Sequence, residues 1–351
     1  MDQVMKLYKK NTPCFDDILL VPQYSEIISR KSVDVSTSIG SGKTEIELKL
    51  PVIAAPMDTV CEQNMAYEIS KLGGLGIIHR YMSIDDQSMM VKNVSDKGEI
   101  VGAAVGATSD YLERAKINVK SGASVILVDI ANGHSVFAIN AIKEIRRTLG
   151  ESLHIMAGNV ATSHGFIMLQ EAGANSIRVG IGGGAVCTTR LVSGHGIPTL
   201  SSILDVRERL EYGYGSSIIA DGGIKNSGDA VKALAAGANA VMLGSYLSGT
   251  DESPGEVYRD GEKKFKIFRG MASAEAQKDF SGKVSVSEGV ETTVPYKGSA
   301  IKLIEDFKLG IGSGLSYSGV SSLKELYEES QYVNVSSLTV NESRPHAAHI
   351  H

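Results

Sequence analysis

The stretch SIIADGGIKNSGDAVKALAAGANAVMLGS, residues 217–245, contains one complete unit of the pattern that organises this chain. It begins with a short apolar run, Ser217–Ala220, continues through an amphipathic segment, Ser227–Ala236, and closes on a second apolar run, Ala240–Leu243. Neither run alternates apolar with polar residues, which is typical of parallel strands buried on both faces. The stretch therefore predicts a strand–helix–strand unit of a parallel sheet.

The same pattern extends towards the N-terminus and gives eight apolar runs in all. They are Pro51–Ala55, Leu75–His79, Ile100–Val105, Ser124–Ile130, Leu153–Ala157, Ser176–Val179, Ser217–Ala220 and Ala240–Leu243. Most begin 23–29 residues after the run before, which is the length of one strand and one crossover helix. The segments Asp110–Ser121 and His134–Leu149 have helical periodicity. Eight units predict a (β/α)8 TIM barrel, and an open doubly wound sheet is the alternative.

The count of eight and the lack of an early GxGxxG fingerprint favour the barrel, as a single α/β domain over residues 1–351. No room is left between the second and third runs for an accessory domain. Two intervals are longer than the rest. One contains a catalytic-loop candidate at about 180–200, and the other, 248–298, predicts a hairpin followed by a mobile flap. Both follow strands, so both lie on the face where barrels carry active sites.

The first of these insertions presents a cysteine at the end of a glycine-rich turn. Residues 180–190 read GIGGGAVCTTR. Glycines 182–184 permit backbone conformations closed to other residues, so peptide groups can converge on a ligand there. Cys187 on such a loop is a candidate nucleophile. The alternative is a flexible turn with an incidental cysteine.

Polar or glycine residues follow most of the other runs, at the predicted mouth of the barrel. Gly222–Gly223 and Gly244–Ser245 follow the last two runs, where barrels bind phosphate through backbone N–H groups. Asp221 is a candidate for ribose hydroxyls, or caps its turn.

Three more polar side chains sit at strand ends. Asp129 faces a cofactor or leaving group, or caps the next helix. Asn159 and Arg178 point into the same mouth. A buried arginine needs an anionic partner, so we expect a ligand phosphate, base or carboxylate at Arg178.

Composition narrows the classes of partner. The formal charge of −5 and the pI near 5.9 give no reason to expect nucleic acid. Three widely spaced cysteines indicate a reducing compartment rather than a disulfide framework. No apolar run is long enough to cross a membrane and no signal peptide precedes the first run, so we expect a cytoplasmic protein. The histidine-rich ending, HAAHIH, predicts a solvated tail.

Taken together, these motifs resemble the IMP dehydrogenase/GMP reductase family over nearly the whole length. Besides the cysteine loop, the matching segments are FDDILLVPQYSEIISR (15–30), LPVIAAPMDTV (50–60), GLGIIHRYM (74–82), MAGNVAT (156–162), ADGGIKNSGD (220–229), GTDESPGE (249–256), FRGMAS (268–273) and SEGVETTVPYKG (287–298). The resemblance implies a TIM barrel that binds a purine nucleoside monophosphate, GMP or IMP, and a nicotinamide cofactor, in a homotetramer.

The resemblance also implies roles for individual residues. Catalysis is expected from Cys187, Thr189 and Glu288. Substrate binding is expected from Met57, Asn159, Arg178, Gly184, Asp221, Gly222, Gly223, Gly244, Ser245, Gly270 and Met271. Cofactor binding is expected from Arg80, Asp129, Ala131 and Asn132. A K⁺ ion is expected on the backbone carbonyls of Gly182, Gly184 and Cys187.

The family contains two activities that share a first step, the addition of a cysteine thiolate to purine C2. The dehydrogenase passes hydride from IMP to NAD and then hydrolyses the adduct, while the reductase expels ammonia from GMP and delivers hydride from NADPH. The dehydrogenase usually carries an Arg–Tyr pair in its flap and a nucleotide-binding CBS accessory domain. This chain lacks both, and its segment DIANGHS (129–135) is closer to reductases.

Other segments, among them APMDTV and GLGIIHRYM, are closer to dehydrogenases. Because the flap is where the two chemistries differ, we favour an NADPH-dependent GMP reductase. An IMP dehydrogenase that uses NAD and lacks the CBS domain is the alternative. A catalytically idle nucleotide-binding protein is a third reading, and the intact set of Cys187, Thr189, Asp221 and Glu288 argues against it.

Overall fold

Apolar runs form strands and the segments between them form helices along residues 6–210, 215–336 and 338–343, which the computed structural model describes. The strands there are β1 (Ile18–Leu20), β2 (Thr37–Ile39), β3 (Ile46–Leu48), β4 (Val52–Ala54), β5 (Leu75–Ile78), β6 (Val101–Val105), β7 (Val125–Asp129), β8 (His154–Val160), β9 (Ser176–Val179), β10 (Ser217–Asp221), β11 (Ala240–Leu243), β12 (Tyr258–Asp260), β13 (Lys263–Arg269), β14 (Glu291–Pro295) and β15 (Tyr332–Asn334). The α-helices there are α1 (Gln63–Lys71), α2 (Ile84–Ser95), α3 (Tyr111–Lys120), α4 (Val136–Leu149), α5 (Ser163–Glu171), α6 (Thr189–Val192), α7 (Thr199–Arg207), α8 (Ser227–Ala235), α9 (Ala274–Ser281), α10 (Ala300–Ser318), α11 (Leu323–Glu329) and α12 (Thr339–Glu342). The histidine-rich ending lies outside the described residues.

Strands β4 to β11 close into a parallel barrel, and each coincides with one of the eight predicted runs. The closure is made by β11, which pairs with both β10 and β4. The predicted TIM barrel is therefore confirmed, and the doubly wound alternative is wrong. Between β5 and β6 the chain has only helix α2.

Side chains pointing into the barrel and side chains between barrel and helices form two buried layers. The inner layer includes Ile53, Ile77, Leu127 and Ile219, none of them exposed. Each such aliphatic side chain contributes about 1.5–3 kcal/mol by leaving water. The β2–β3 hairpin adds Ile39 and Leu48 to this layer and fills the N-terminal end of the barrel. Open space for a ligand is therefore left at the other end.

The second insertion is organised differently from the expectation. A hairpin, β12–β13, is present as predicted, but β14 pairs with β13 and makes a sheet of three strands. The flap, residues 270–290, is thus a connection between two paired strands and contains helix α9. The strand β14 was missed because its residues, ETTVP, are mostly exposed and carry no buried pattern.

Helix α10 contains glycines at positions where it packs closely on its neighbours. Three glycines, at 310, 312 and 314, fall inside α10 and do not end it. A Cβ at Gly310 would lie 2.1 Å from Ser227 Oγ, and one at Gly314 would lie 2.5 Å from Val231 Cγ2. Gly310 and Gly314 therefore let α10 pack closely on α8. The helix ends at Gly319, where φ is +69°. No described helix has the length and hydrophobicity needed to span a membrane.

A buried histidine makes the stability of this barrel depend on pH. His154, 1% exposed, bonds the Thr44 carbonyl (2.7 Å) and Ser176 Oγ (2.8 Å) below the barrel. Burial lowers its pKa from 6.5 to about 4. The unfolded chain therefore binds a proton between these pH values that the folded chain does not, and stability is lost as the pH falls through this window.

We predict that His154 costs about 3 kcal/mol of stability between pH 7 and pH 4. The His154→Gln variant should be less stable at pH 7 but lose less on acidification, because glutamine does not titrate. Urea unfolding midpoints of both proteins at several pH values measure the difference. Parallel pH profiles would contradict the assignment.

Candidate active site

The C-terminal ends of the barrel strands surround a cavity with a volume of about 320 Å³. Every residue predicted to bind substrate, cofactor or K⁺, or to act in catalysis, lines this cavity except Asn132. The Asn132 side chain accepts a hydrogen bond from the His134 N–H instead and closes its own turn (3.2 Å). The residues predicted from the sequence therefore line the cavity with one exception, but the hydrogen bonds among them were not predicted.

Arg178 shows the largest departure from expectation. Its guanidinium donates to Asp221 Oδ2 through Nη2 (2.8 Å) and Nε (3.1 Å), and to Asp129 Oδ1 through Nη1. The expected ligand partner is thus replaced by two carboxylates of the protein itself. Burial alone would lower the pKa of Arg178, but Asp221 and Asp129 outweigh it, and the pKa is raised.

The alternative roles for the two aspartates are wrong as well. Asp129 does not cap the next helix, because Ser135 does so by accepting from the Ala138 N–H. Asp221 does not cap its turn, because its Oδ2 atom accepts from Arg178 and from Asn159 Nδ2 (2.7 Å). The hydrogen bonds of the described residues use only Oδ2 of Asp221. Its second oxygen is left available to a ligand in the cavity.

The cysteine loop and the flap are joined by backbone pairing. Val290 N donates to Val186 O (3.0 Å), and Thr188 N donates to Glu288 O (2.9 Å). This pairing places the side chains of Cys187, Thr189 and Glu288 next to one another in a row of hydrogen bonds. The Cys187 thiol donates to Thr189 Oγ1 (3.2 Å), and the Thr189 hydroxyl donates to Glu288 Oε2 (2.8 Å). A proton can therefore move between the carboxylate and the cavity through one hydroxyl.

Backbone N–H groups without partners mark the ends of β10 and β11. Among the described residues, no hydrogen bond uses the N–H groups of Gly222, Gly223, Ser245 or Tyr246. Gly222 and Gly223 have φ of +89° and +81°, which only glycine adopts readily. Unpaired N–H groups on such turns form an anion site. This is the position predicted for phosphate.

On the opposite side, the cavity extends past Arg80. Arg80 Nε lies 3.9 Å from Asp129 Oδ2, and its guanidinium lies over the Tyr81 ring at 5.2 Å. A neighbouring cavity of about 460 Å³ shares Arg80 and Ile130 with the first and is lined further by Thr108 and Phe137. The two cavities therefore adjoin at Arg80 and Ile130 and form one groove.

Sequence reasoning missed the ion pair that fastens the flap to the barrel. Arg269 donates to Asp58 Oδ2 through Nη2 (2.7 Å) and Nε (2.9 Å), and through Nη1 to Asp279 (2.7 Å) in α9. The Asp58 N–H lies 3.3 Å from the Met271 sulfur. Both charged residues stand in recognised motifs, but they lie 211 positions apart, and nothing local signals the pairing.

Fold and cavity are those of the TIM-barrel enzymes, whose active sites lie at the C-terminal ends of the strands. Within that class, residues 12–346 match the family model described as the IMP dehydrogenase / GMP reductase domain. The chain belongs to this family, a group of oxidoreductases, and the resemblance seen in its motifs is confirmed.

Similar proteins carry both names of the family. The inosine-5′-monophosphate dehydrogenase of Cryptosporidium parvum is 37% identical, with 96% of this chain and 95% of the relative covered. That of Nitrosopumilus maritimus is 31% identical, with 95% and 97% covered. The crystal structure of a cysteine-to-alanine variant of GMP reductase from Trypanosoma brucei, in complex with guanosine 5′-monophosphate, has a TM-score of 0.90 at 29% identity. It covers 97% of this chain and 99% of that one.

The buried ion triad gives a direct test of the site's architecture. Arg178→Met should lower the free energy of unfolding by about 3–5 kcal/mol, because two carboxylates are left without their partner. Urea unfolding at pH 7 measures the loss. Adding Asp129→Asn to this variant should recover part of it, since one orphaned charge is removed. A loss within about 0.5 kcal/mol, as at an ordinary surface position, would contradict the prediction.

Proposed function

We propose that this protein is a GMP reductase, which converts GMP and NADPH to IMP, ammonia and NADP⁺ through a covalent adduct on Cys187. The observation that carries the proposal is the chain of hydrogen bonds from Cys187 through Thr189 to Glu288. It supplies a proton donor beside the nucleophile, while flap residues 272–287 contain no arginine or tyrosine to activate water.

In the first step the Cys187 thiolate bonds to C2 of the purine and the C2–N bond to the amino group breaks. Ammonia leaves with a proton delivered by Thr189, which is replenished from Glu288. In the second step C2 receives a hydride, the carbon–sulfur bond breaks, and the thiolate is released with IMP. The nicotinamide, when bound, supplies that hydride. One proton and one hydride are consumed for each ammonia released.

The substrate is proposed to lie along the cavity from β10 to the flap. Its phosphate accepts from the unpaired N–H groups of Gly222, Gly223, Ser245 and Tyr246, with Gly184 and Gly244 allowing close approach. The free oxygen of Asp221 accepts from a ribose hydroxyl. The purine is contacted by the remaining predicted residues, which are Met57, Asn159, Gly270, Met271 and Glu288, and Arg178 acts through Asp221.

The cofactor is proposed to occupy the groove on the other side of Cys187, where Asp129, Ala131 and Arg80 line the wall. Asn132, turned onto its own backbone, is left out of this set. Arg80 and Asp129 are close enough to attract each other, and either can also meet a polar group of the cofactor.

A monovalent cation fits the cysteine loop. The Gly184 carbonyl already accepts from the Cys187 N–H (3.1 Å), but a carbonyl oxygen has a second lone pair. We propose that the carbonyls of Gly182, Gly184 and Cys187 hold K⁺. The proposed enzyme is a homotetramer of single-domain subunits without a CBS domain, located in the cytoplasm.

The second candidate function is that of an IMP dehydrogenase that passes hydride from IMP to NAD. The names of the relatives at 31–37% identity favour it. In that reaction Glu288 and Thr189 would remove a proton from water instead of delivering one to nitrogen. Absorbance at 340 nm separates the two: it falls with GMP and NADPH for a reductase, and rises with IMP and NAD for a dehydrogenase.

Cys187→Ala should abolish turnover and retain GMP binding, because the nucleophile is lost while the phosphate and ribose contacts remain. NADPH oxidation and equilibrium binding of GMP measure the two properties. Cys14→Ala, which removes a thiol outside the cavity, is the matched control and should keep its activity. Turnover by Cys187→Ala near that of the unmodified enzyme would exclude covalent catalysis.

Thr189→Val should lower kcat by about a hundredfold or more, because the only hydroxyl between Cys187 and Glu288 in the described structure is removed. The KM for GMP should change little, since the valine fills the same space. Thr188→Val is the control, because the side chain of Thr188 makes no described hydrogen bond. Equal loss in both variants would show that the relay is not responsible.

A further inference from the structure

Lys297 lies directly behind the turn that carries the proposed phosphate site. Its Nζ donates to the carbonyls of Ser245 (2.7 Å) and Tyr246 (3.1 Å). The position of Lys297 is fixed by the backbone, because its own N–H donates to Gly249 O (2.8 Å) and Gly298 bridges to Thr250. The lysine is therefore held against the turn although much of its side chain is exposed.

The geometry of the peptide group gives this contact a consequence on the other side of the turn. In a trans peptide the C=O and N–H bonds point in opposite directions. Lys297 holds the Ser245 carbonyl, so the N–H of the same peptide, that of Tyr246, points away from the lysine. This N–H is one of those left unpaired. A cation on the carbonyl also polarises the peptide and makes its N–H a stronger donor.

A polarised N–H group matters at this site because the basic side chains that line the cavity already lie beside carboxylates. Among the described residues that line it, the basic side chains are Arg80 and Arg178. Arg178 is paired with two carboxylates, and Arg80 lies near Asp129. Lys297, in contrast, has no carboxylate within 4.0 Å among the described residues. Its charge is therefore not compensated by a carboxylate at the turn that follows β11.

We propose that Lys297 is a positioning residue for the substrate phosphate, which acts through the peptide group between Ser245 and Tyr246 without touching the ligand. The proposal rests on the phosphate site of the proposed function. Since phosphate is bound equally in the ground state and the transition state, loss of Lys297 affects KM and leaves kcat unchanged.

The test compares Lys297→Met, Lys297→Arg and Lys263→Met. Lys263 lies exposed at the β12–β13 hairpin, so it controls for the loss of one surface charge. Lys297→Met should raise the KM for GMP about tenfold, as expected for a lost charge-assisted hydrogen bond, with kcat within about twofold. Affinity for guanosine, which lacks the phosphate, should not change. Lys297→Arg should restore most of the affinity for GMP, and Lys263→Met should behave as the unmodified enzyme.

Two results would overturn the proposal. One is an unchanged KM in Lys297→Met. The other is an equal loss of affinity for GMP and guanosine without rescue by arginine, which would indicate a merely structural role.

If the unmodified protein turns over neither GMP nor IMP, the proposed function fails, and thermal stabilisation by inorganic phosphate then tests Lys297 separately. Stabilisation lost in Lys297→Met would support the proposal. Stabilisation absent from both proteins, or equal in both, would refute it.

Discussion

The ion triad of Arg178, Asp129 and Asp221 is the constraint on which the mouth of the barrel depends. It ties the C-terminal ends of β7, β9 and β10, and Asn159 joins β8 to the same carboxylate. With one arginine between two aspartates, neither carboxylate is free to rotate, and one oxygen of Asp221 is fixed towards the cavity. A buried triad of this kind adds little net stability. Its contribution is to the orientation of the groups that face the proposed substrate.

The sequence predicted the barrel because its physical signal is local. A parallel strand buried on both faces needs a continuous apolar run, and eight such runs at the spacing of a βα unit leave few alternatives. The cavity residues could be predicted for a related reason, since they follow those strands. The contacts among them could not: Arg178 and Asp221 are 43 positions apart, and Arg269 and Asp58 are 211 apart. The charge of a residue does not show whether its ion-pair partner is another residue of the protein or a ligand.

The flap is held at both ends by charged side chains that contact the barrel, and in the middle by the cysteine loop. Arg269 fixes the start of the flap to Asp58, and Lys297 holds the segment that follows β14 to the turn at Ser245. Between these points Glu288 and Val290 pair with the loop around Cys187. The nucleophile and its proposed proton source are therefore parts of one backbone-paired unit.

How the flap uses its polar residues bears on the direction of proton transfer. Gln277 donates to the carbonyls of Ala272 and Val286 and accepts from the Ser285 N–H, so all of these hydrogen bonds lie within the flap. Asp279 is engaged by Arg269. Of the polar side chains in the described flap, the one that lines the cavity is Glu288, and Thr189 of the cysteine loop lines it as well.

Hydrolysis requires an added water to be positioned and deprotonated, whereas expulsion of ammonia requires only that a proton reach a nitrogen already bound to C2. A single carboxylate working through a single hydroxyl is sufficient for the second task, and this asymmetry is the physical reason for preferring the reductase.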